Sequence, residues 1–394
     1  MQERRQSRTR TKKRVLPAQH GVDFALLFLS VALLAFGLIM VLSSGAVNGF
    51  DMAHDSYYYL LQQLKWTGLG GALAVIAVMV PFTFWRRLAG AGMLVTYILL
   101  IIVLYTHAGI VTSGSARWLR IAGLSIQPSE IAKLSVILFF AHTLERYPAR
   151  KLRDLAIPLA ALLPVLFLIY KQPDLGTMLV LLFTAGAMFL QTDLAAGWFA
   201  VALPAAGILG TVLVRHQPYQ WQRILVWLNP WAYPNAGYQI TNAEIALGSG
   251  GLFGVGLGRS MQKYGFLPAN RTDTIFAIVG EELGLAGTLA LIMLFALWIV
   301  RGFQIARSCP DRFGRLLAFG ITSSLAIQAG MNLAVVTGVI PVTGVTLPLI
   351  SYGGNSLLIT LVELGILLNI SRYKTLPQSR KTPERTSGYS GLSQ

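Results

Sequence analysis

Apolar stretches recur along nearly the whole chain and are separated by short polar segments. A membrane helix needs about 20 apolar residues to cross a hydrocarbon core of about 30 Å. The pattern predicts ten such spans, the last three with polar interruptions: 24–44, 66–82, 88–106, 128–144, 155–170, 174–191, 195–214, 274–300, 316–340 and 349–370. The predicted fold class is therefore an all-α, polytopic membrane protein of about ten transmembrane helices.

Composition agrees with this pattern, since 54% of the residues are hydrophobic and 12% are charged. Average soluble proteins carry about 25% charged residues. A chain so poor in charge could not cover the surface of a soluble fold.

The net charge of +16 is explained by topology. With the N-terminus inside, most lysines and arginines fall on the inner side, as the positive-inside rule requires, and both termini are predicted to be cytoplasmic. Contact with anionic membrane lipid accounts for the remaining basic charge, and no nucleic acid is expected. Residues 1–22 and 373–394 are predicted to be disordered tails around one membrane domain, 23–372.

Two outer loops are long, 107–127 and 215–273, and the second joins helices seven and eight. Within it, 237–248 is predicted to form a short amphipathic helix on the membrane. The glycine-rich run 248–260 lacks the lysine spacing of a phosphate-binding loop. One cysteine, Cys309, allows no internal disulfide, and the five histidines show no metal-ligand spacing.

Charges at membrane depth cost about 2.5–3.5 kcal/mol each on the insertion scale, which favours a functional role. In the segment 117–133, Glu130 and Lys133 are neighbours on one helix face. They form either a mutually neutralising pair or, with Arg117 and Arg120, a surface for an anionic ligand.

Two further segments carry charge at helix ends. Lys171 and Asp174 lie in the turn KQPDLGT, where Asp174 either caps the next helix or faces a polar cavity. Asp273 ends the long outer loop near three basic residues, where it or Thr272 serves only as the cap of the eighth helix, or Asp273 acts as a base beside a phosphate site. Those basic residues are Arg271, Lys263 and Arg259.

Polar groups inside the apolar spans predict a cavity. Glu281 and Glu282 lie about 12 Å deeper than Asp273 in the same span, at 1.5 Å per residue, and one is expected to pair with a cation from another helix. Broken backbone at membrane depth is tolerated only inside protein or along a cavity. The segment 341–356 has that character, with candidate cavity residues Ser351, Tyr352, Gly353, Gly354 and Ser356.

Four motifs in order, ARWL…IQPSEIAK, KQPDLGT, GLG…QK…TD.IFA…EELG and P.TG..LP.ISYGG.S, resemble the SEDS family (shape, elongation, division and sporulation) of peptidoglycan glycosyltransferases. The resemblance runs from about 117 to 356. The basic N-terminal arm and GVGLGRSMQK are more similar to division members than to elongation members.

The resemblance implies polymerisation of lipid II, an undecaprenyl-pyrophosphate-linked disaccharide pentapeptide, at the outer face of the inner membrane, at the division septum. Asp273 matches the family's loop aspartate, the candidate base. Arg117, Glu130 and Lys133 match its polar face. The implied partners are lipid II, a class B penicillin-binding protein (a transpeptidase) and other membrane proteins of the division complex.

No organic cofactor and no protein metal cage is expected. A divalent cation, Mg²⁺ or Mn²⁺, held with the substrate diphosphate is the form the reaction would use. Lys171, Lys263, Arg120 and Arg271 are the further candidate cations for the diphosphate.

The loop that contains Asp273 departs from the family pattern. Ala269, Arg271 and Thr274 replace the usual glutamate, histidine and phenylalanine, and Asn355 replaces a common serine. The added Arg271 is expected to lower the pKa of Asp273. Two other functions remain open, a lipid II flippase and a non-catalytic scaffold for a transpeptidase. Neither requires a base at Asp273.

Overall fold

The computed structural model describes residues 21–373, except 107–108, 113–114, 122–123, 148, 150, 194–196, 198–203, 205–206, 208–209 and 213. Eleven α-helices are described in this part of the chain: α1 Phe24–Ala53, α2 Tyr58–Met79, α3 Phe82–Tyr105, α4 Pro128–Arg146, α5 Ala156–Lys171, α6 Leu175–Phe189, α7 Pro218–Leu228, α8 Pro234–Ser249, α9 Ile275–Ser308, α10 Arg312–Val336 and α11 Gly354–Ser371. Short 3₁₀ turns cover Leu152–Leu155 and Pro230–Ala232.

The protein is a mostly helical membrane protein. Six helices of the described chain are long and apolar enough to cross a bilayer: Phe24–Ala53, Phe82–Tyr105, Arg153–Lys171, Ile275–Ser308, Arg312–Val336 and Gly354–Ser371. Leu175–Phe189 is apolar but shorter. Helices α2 and α4 lie at two more of the predicted spans, so nine of the ten predicted spans coincide with a helix, and six of these helices are long and apolar enough to cross a bilayer. The seventh predicted span, 195–214, lies mostly outside the described residues, and the predicted tails lie almost wholly outside them.

Polar caps and prolines set where these helices begin. Asp23 caps α1 by accepting a hydrogen bond from Leu26 N at 3.0 Å, and Asp311 caps α10 through Gly314 N. Pro128 occupies the first turn of α4, where its missing N–H removes no helix bond. Glycines then allow close helix packing, since a side chain at Gly365 would lie 2.4 Å from the carbonyl of Ala74 in α2.

The prediction of an all-α fold was incomplete in the loop 107–127. A three-stranded antiparallel sheet lies there, with strands β1 Gly109–Thr112, β2 Ser115–Ile121 and β3 Leu124–Ile126 in the order β1-β2-β3. Its strands are short and interrupted by turn residues. The sequence therefore shows no strong alternation of polar and apolar residues that would predict them.

The long loop 215–273 is also more structured than predicted. A helix, α8, is present where the short amphipathic helix was expected, and α7 precedes it. The glycine-rich run that follows packs into a break in α9 at Gly284, whose φ is 66°. Val255 N donates to Glu281 O at 3.0 Å and Leu285 N to Gly251 O at 2.9 Å, so backbone groups freed by the break are satisfied.

One end of the helix bundle is closed by ion pairs. Asp23 accepts two hydrogen bonds from Arg301, at 2.9 and 2.8 Å, and its N–H donates to Ser371. Arg86 lies between Glu145, at 3.1 Å, and Asp311, at 3.0 Å. The opposite end of the bundle holds the polar groups described next.

Candidate functional site

A cavity of about 770 Å³ opens at this opposite end. Four helices begin at its wall, since Tyr58, Gln127, Asp174 and Gly353 stand at the starts of α2, α4, α6 and α11 and line it. Helix N-termini carry partial positive charge and unpaired N–H groups. The cavity therefore favours an anionic ligand.

A buried ion pair forms one wall of this central cavity. Lys133 Nζ lies 2.9 Å from Glu130 Oε2 and donates to Gln328 Oε1 at 2.6 Å. Gln328 in turn donates to the carbonyl of Thr346 at 3.0 Å, and Thr346 Oγ1 donates to Ser356 at 3.0 Å. The network connects α4, α10 and the segment before α11, so the pair of Glu130 and Lys133 has a structural role. Both residues also line the cavity.

Arg117 and Asp174 shape the neighbouring wall. Arg117 donates to the carbonyls of Gln172 and Pro173, at 2.9 and 2.7 Å, and so holds the turn between α5 and α6. Asp174 caps α6 through Thr177 N at 3.2 Å and accepts from the hydroxyl of Ser129. The two readings of Asp174 are thus compatible, because the capping residue also lines the cavity.

Asp273 lies half-buried beside the cavity, next to the lining residue Thr272. Its Oδ1 accepts from Thr272 at 3.0 Å and its Oδ2 from Gln239 at 3.4 Å. Its carbonyl accepts from Asn332 at 2.8 Å. Ser351 fixes the same loop, because its hydroxyl donates to the carbonyl of Thr272 at 2.6 Å.

Burial raises the pKa of Asp273, which precedes α9 and lies outside the candidate spans. Hydrogen bonds from Thr272 and Gln239 and the positive charge of Arg223 oppose this shift without reversing it. The expectation that Arg271 lowers this pKa was wrong. The Arg271 guanidinium stacks 4.1 Å above the ring of Tyr59 instead.

The structure thus brings the four predicted segments together at one cavity. Beside Asp273, the predicted residues that line the central cavity are Arg117, Glu130, Lys133, Asp174, Tyr352, Gly353, Gly354 and Ser356. Arg120 is exposed on β2 and Lys171 is exposed at the end of α5, over the Phe167 ring. Arg120, Lys171, Arg271 and Ser351 are not part of the cavity lining.

Glu281, Glu282 and Lys263 form a separate buried cluster, which corrects their assignment to the cavity and to the diphosphate. Lys263 Nζ lies 3.3 Å from Glu282 Oε1, and Ser43 of α1 donates to the same carboxylate at 2.6 Å. Glu281 accepts from the hydroxyl of Ser260 and from Met261 N. The cation comes from the long loop 215–273 rather than from another helix, and the cluster anchors that loop to α9.

Several polar lining residues were missed in the sequence, among them Lys65, Gln328, Thr346 and Thr177. Gln328 and Asn332 are four residues apart in the otherwise apolar α10, and both are buried. Two amides on one face of an apolar helix indicate a polar environment inside the helix bundle. Lys65 carries no comparable signal, because a lysine near a helix start is ordinary.

A family model described as a cell cycle protein, FtsW/RodA/SpoVE, matches residues 24–376. The chain belongs to this family. Stage V sporulation protein E of Bacillus subtilis is 40% identical over 360 residues, which cover 89% of this chain and 97% of that protein. A probable peptidoglycan glycosyltransferase FtsW of Geobacter metallireducens is 39% identical over 368 residues, covering 90% and 96%.

Solved structures of the family share the fold. A chain of a peptidoglycan synthase complex has a TM-score of 0.76 and 32% identity, covering 90% of this chain and 99% of that one. The crystal structure of the rod shape determining protein RodA of Thermus thermophilus gives 0.68 and 31%, covering 90% and 98%. The family fold therefore accounts for nearly the whole chain.

Proposed function

We propose that this protein is a peptidoglycan glycosyltransferase that polymerises lipid II at the outer face of the inner membrane, during septal wall synthesis. The observation that carries the proposal is the position of Asp273 beside a cavity that contains Lys133 and four helix N-termini. The relatives named as glycosyltransferases support it. The proposal includes ten membrane spans with both termini in the cytoplasm. The basic residues at the end of the bundle that is closed by ion pairs support this orientation.

The reaction needs a base and a stabilised leaving group. The 4-hydroxyl of an acceptor sugar attacks the anomeric carbon of a lipid-linked donor, with inversion, and undecaprenyl pyrophosphate leaves. The carboxylate of Asp273 accepts the hydroxyl proton. Lys133 and the helix N-termini at the cavity wall stabilise the departing diphosphate, with Arg117 keeping the α5–α6 turn in place.

A divalent cation fits this site only as an ion held mainly by substrate oxygens. Within the described residues, no group of three or more His, Cys, Asp or Glu side chains could hold a metal. Glu130 is paired with Lys133, and Asp174 caps α6. Bound Mg²⁺ or Mn²⁺ would neutralise the diphosphate.

The proposed partner is a class B penicillin-binding protein, because a chain of a peptidoglycan synthase complex shares this fold. The other proposed partners are membrane proteins of the division complex and the surrounding lipid. This remains a proposal about the assembly and does not alter the chemistry at Asp273.

The test is glycan synthesis from labelled lipid II by the purified full-length chain, with and without its cognate transpeptidase. Wild type with its partner should form strands, and Asp273→Ala should form none. Absence of strands from wild type would leave the flippase and the scaffold as the remaining functions. Strands from Asp273→Ala would leave the enzyme but remove its base.

A further inference from the structure

A second cavity, of about 220 Å³, lies between α7 and α8. Tyr219, Gln222 and Arg223 line it from α7, and Ala236 and Gln239 line it from α8. Its volume is below the range of roughly 300–1,000 Å³ that is usual for drug-sized ligands. The space suits a single small ring.

Asp273 lies next to lining residues of both cavities. Gln239, which lines the second cavity, donates to Asp273 Oδ2 at 3.4 Å. Gly344 lines the central cavity, and a side chain there would begin 4.0 Å from the same Oδ2. The absence of a side chain at Gly344 keeps this carboxylate oxygen open toward the central cavity.

The chemistry of the second cavity matches a neutral sugar. Tyr219 provides an aromatic face, and Gln222 and Gln239 provide amides that can both donate and accept. Arg223 is engaged by the protein, since it donates to Val342 O at 3.0 Å and to the Tyr219 hydroxyl at 2.7 Å. The positive charge of Arg223 also acts on the carboxylate of Asp273, so a neutral ligand suits this cavity better than a second anion.

We infer that the cavity between α7 and α8 holds the terminal sugar ring of the acceptor substrate, while the central cavity holds the lipid-linked donor. This inference rests on the proposed glycosyltransferase function and deepens it. The acceptor hydroxyl oxygen forms the new bond to the donor's anomeric carbon, and its proton moves to Asp273. The bond between that carbon and the phosphate oxygen breaks, and its electron pair leaves with the diphosphate.

Occlusion of the second cavity tests this inference. Ala236→Trp fills the cavity and keeps the side chains of Asp273 and of its hydrogen-bond partners Thr272 and Gln239 in the sequence. Asn235→Trp is the matched control, because the adjacent Asn235 of α8 is exposed and is not part of the cavity lining. The donor is a lipid-linked glycan whose terminal 4-hydroxyl is inverted, so that it can donate but not accept. Lipid II is the acceptor, and the KM of each substrate is measured.

Ala236→Trp should raise the acceptor KM by about tenfold or more, equivalent to about 1.4 kcal/mol, and leave the donor KM within about twofold. Asn235→Trp should change neither. An unchanged acceptor KM in Ala236→Trp, or equal increases for both substrates, would overturn the inference while the glycosyltransferase function stands. Inactivity of the wild type on both substrates would instead overturn the proposed function.

A smaller change covers the case in which tryptophan prevents folding. Gln222→Ala removes one exposed amide from the cavity wall. It should raise the acceptor KM by about two- to tenfold, the effect of one lost hydrogen bond, with an unchanged melting temperature and donor KM. An acceptor KM equal to that of wild type in this variant would also contradict the inference.

Discussion

The ammonium of Lys133 lies 2.9 Å from Oε2 of Glu130, and the two side chains are only 6% and 10% exposed. Such a pair is costly to bury and more costly to break, because a lone charge then remains in a medium of low dielectric constant. Its position at the wall of the central cavity gives it a second role, in which Lys133 faces an anionic ligand. Stability and activity measurements can separate the two roles.

Breaking this pair should destabilise the protein. Glu130→Leu or Lys133→Met alone is expected to lower the free energy of unfolding by about 3–5 kcal/mol. The double variant should recover most of this loss, yet form no glycan strands, because the cation is missing. Thermal unfolding in detergent and strand synthesis are the two measurements.

The control for that experiment is Arg153→Ala, which removes an ion pair whose arginine side chain is 79% exposed. Its unfolding free energy should stay within about 0.5 kcal/mol of wild type. Full activity of the double variant would show that Glu130 and Lys133 are structural only.

The pH dependence of polymerisation should report the environment of Asp273. Burial raises the pKa of its carboxyl, so the ionised base is lost at a higher pH than for an ordinary aspartate. Arg223 stabilises the carboxylate, and Arg223→Gln should raise this pKa further. The acidic limb of the rate profile should therefore move to higher pH.

The exposed Arg259 offers a matched control for this profile. Arg259→Gln should leave the acidic limb where it is in wild type. A shift of the limb to lower pH in Arg223→Gln would contradict the assignment of Asp273 as the base.

The ion pair of Lys263 and Glu282 should hold the loop 215–273 in place. Glu282→Leu leaves Lys263 buried without its carboxylate, which is expected to cost about 3–5 kcal/mol. Hydrogen exchange of residues 258–264 should rise at the same time, because Ser260 N donates to Glu282 Oε1 at 3.4 Å and Lys263 Nζ donates to the carbonyl of Gly258. Lys263→Met combined with Glu282→Leu should restore slow exchange, and persistent fast exchange in that double variant would show that the pair does not hold the loop.

The break in α9 should require a glycine. At Gly284 the φ of 66° disfavours any side chain, and a Cβ would lie 2.4 Å from Gly254 N. Gly284→Ala is therefore expected to cost about 1–3 kcal/mol. Gly71 in α2 has no atom within 4 Å of such a Cβ, and Gly71→Ala should be neutral or stabilise by up to about 1 kcal/mol. Equal melting temperatures for the two variants would contradict the requirement.

Much of the architecture follows from local signals. Apolar length predicts a helix directly, because a backbone in lipid must satisfy its own hydrogen bonds. Nine predicted spans accordingly coincide with helices. The pairing of Glu130 with Lys133 was equally readable, since residues three apart share a helix face. Asp174 as a helix cap followed from the turn KQPDLGT in the same way.

The tertiary structure alone decided which polar groups meet. Lys133 contacts Gln328, 195 residues further along the chain, and no periodicity predicts which helices pack together. The same holds for Lys263, which seemed suited to a phosphate by its place in the sequence but is buried against Glu282. Arg223, and not Arg271, sets the charge near Asp273, because side-chain direction is decided by packing. The sequence by itself determined the membrane fold and the residue types of the site, because these depend on hydrophobicity and local spacing. Long-range packing determined the shape of the central cavity and which charges reach it.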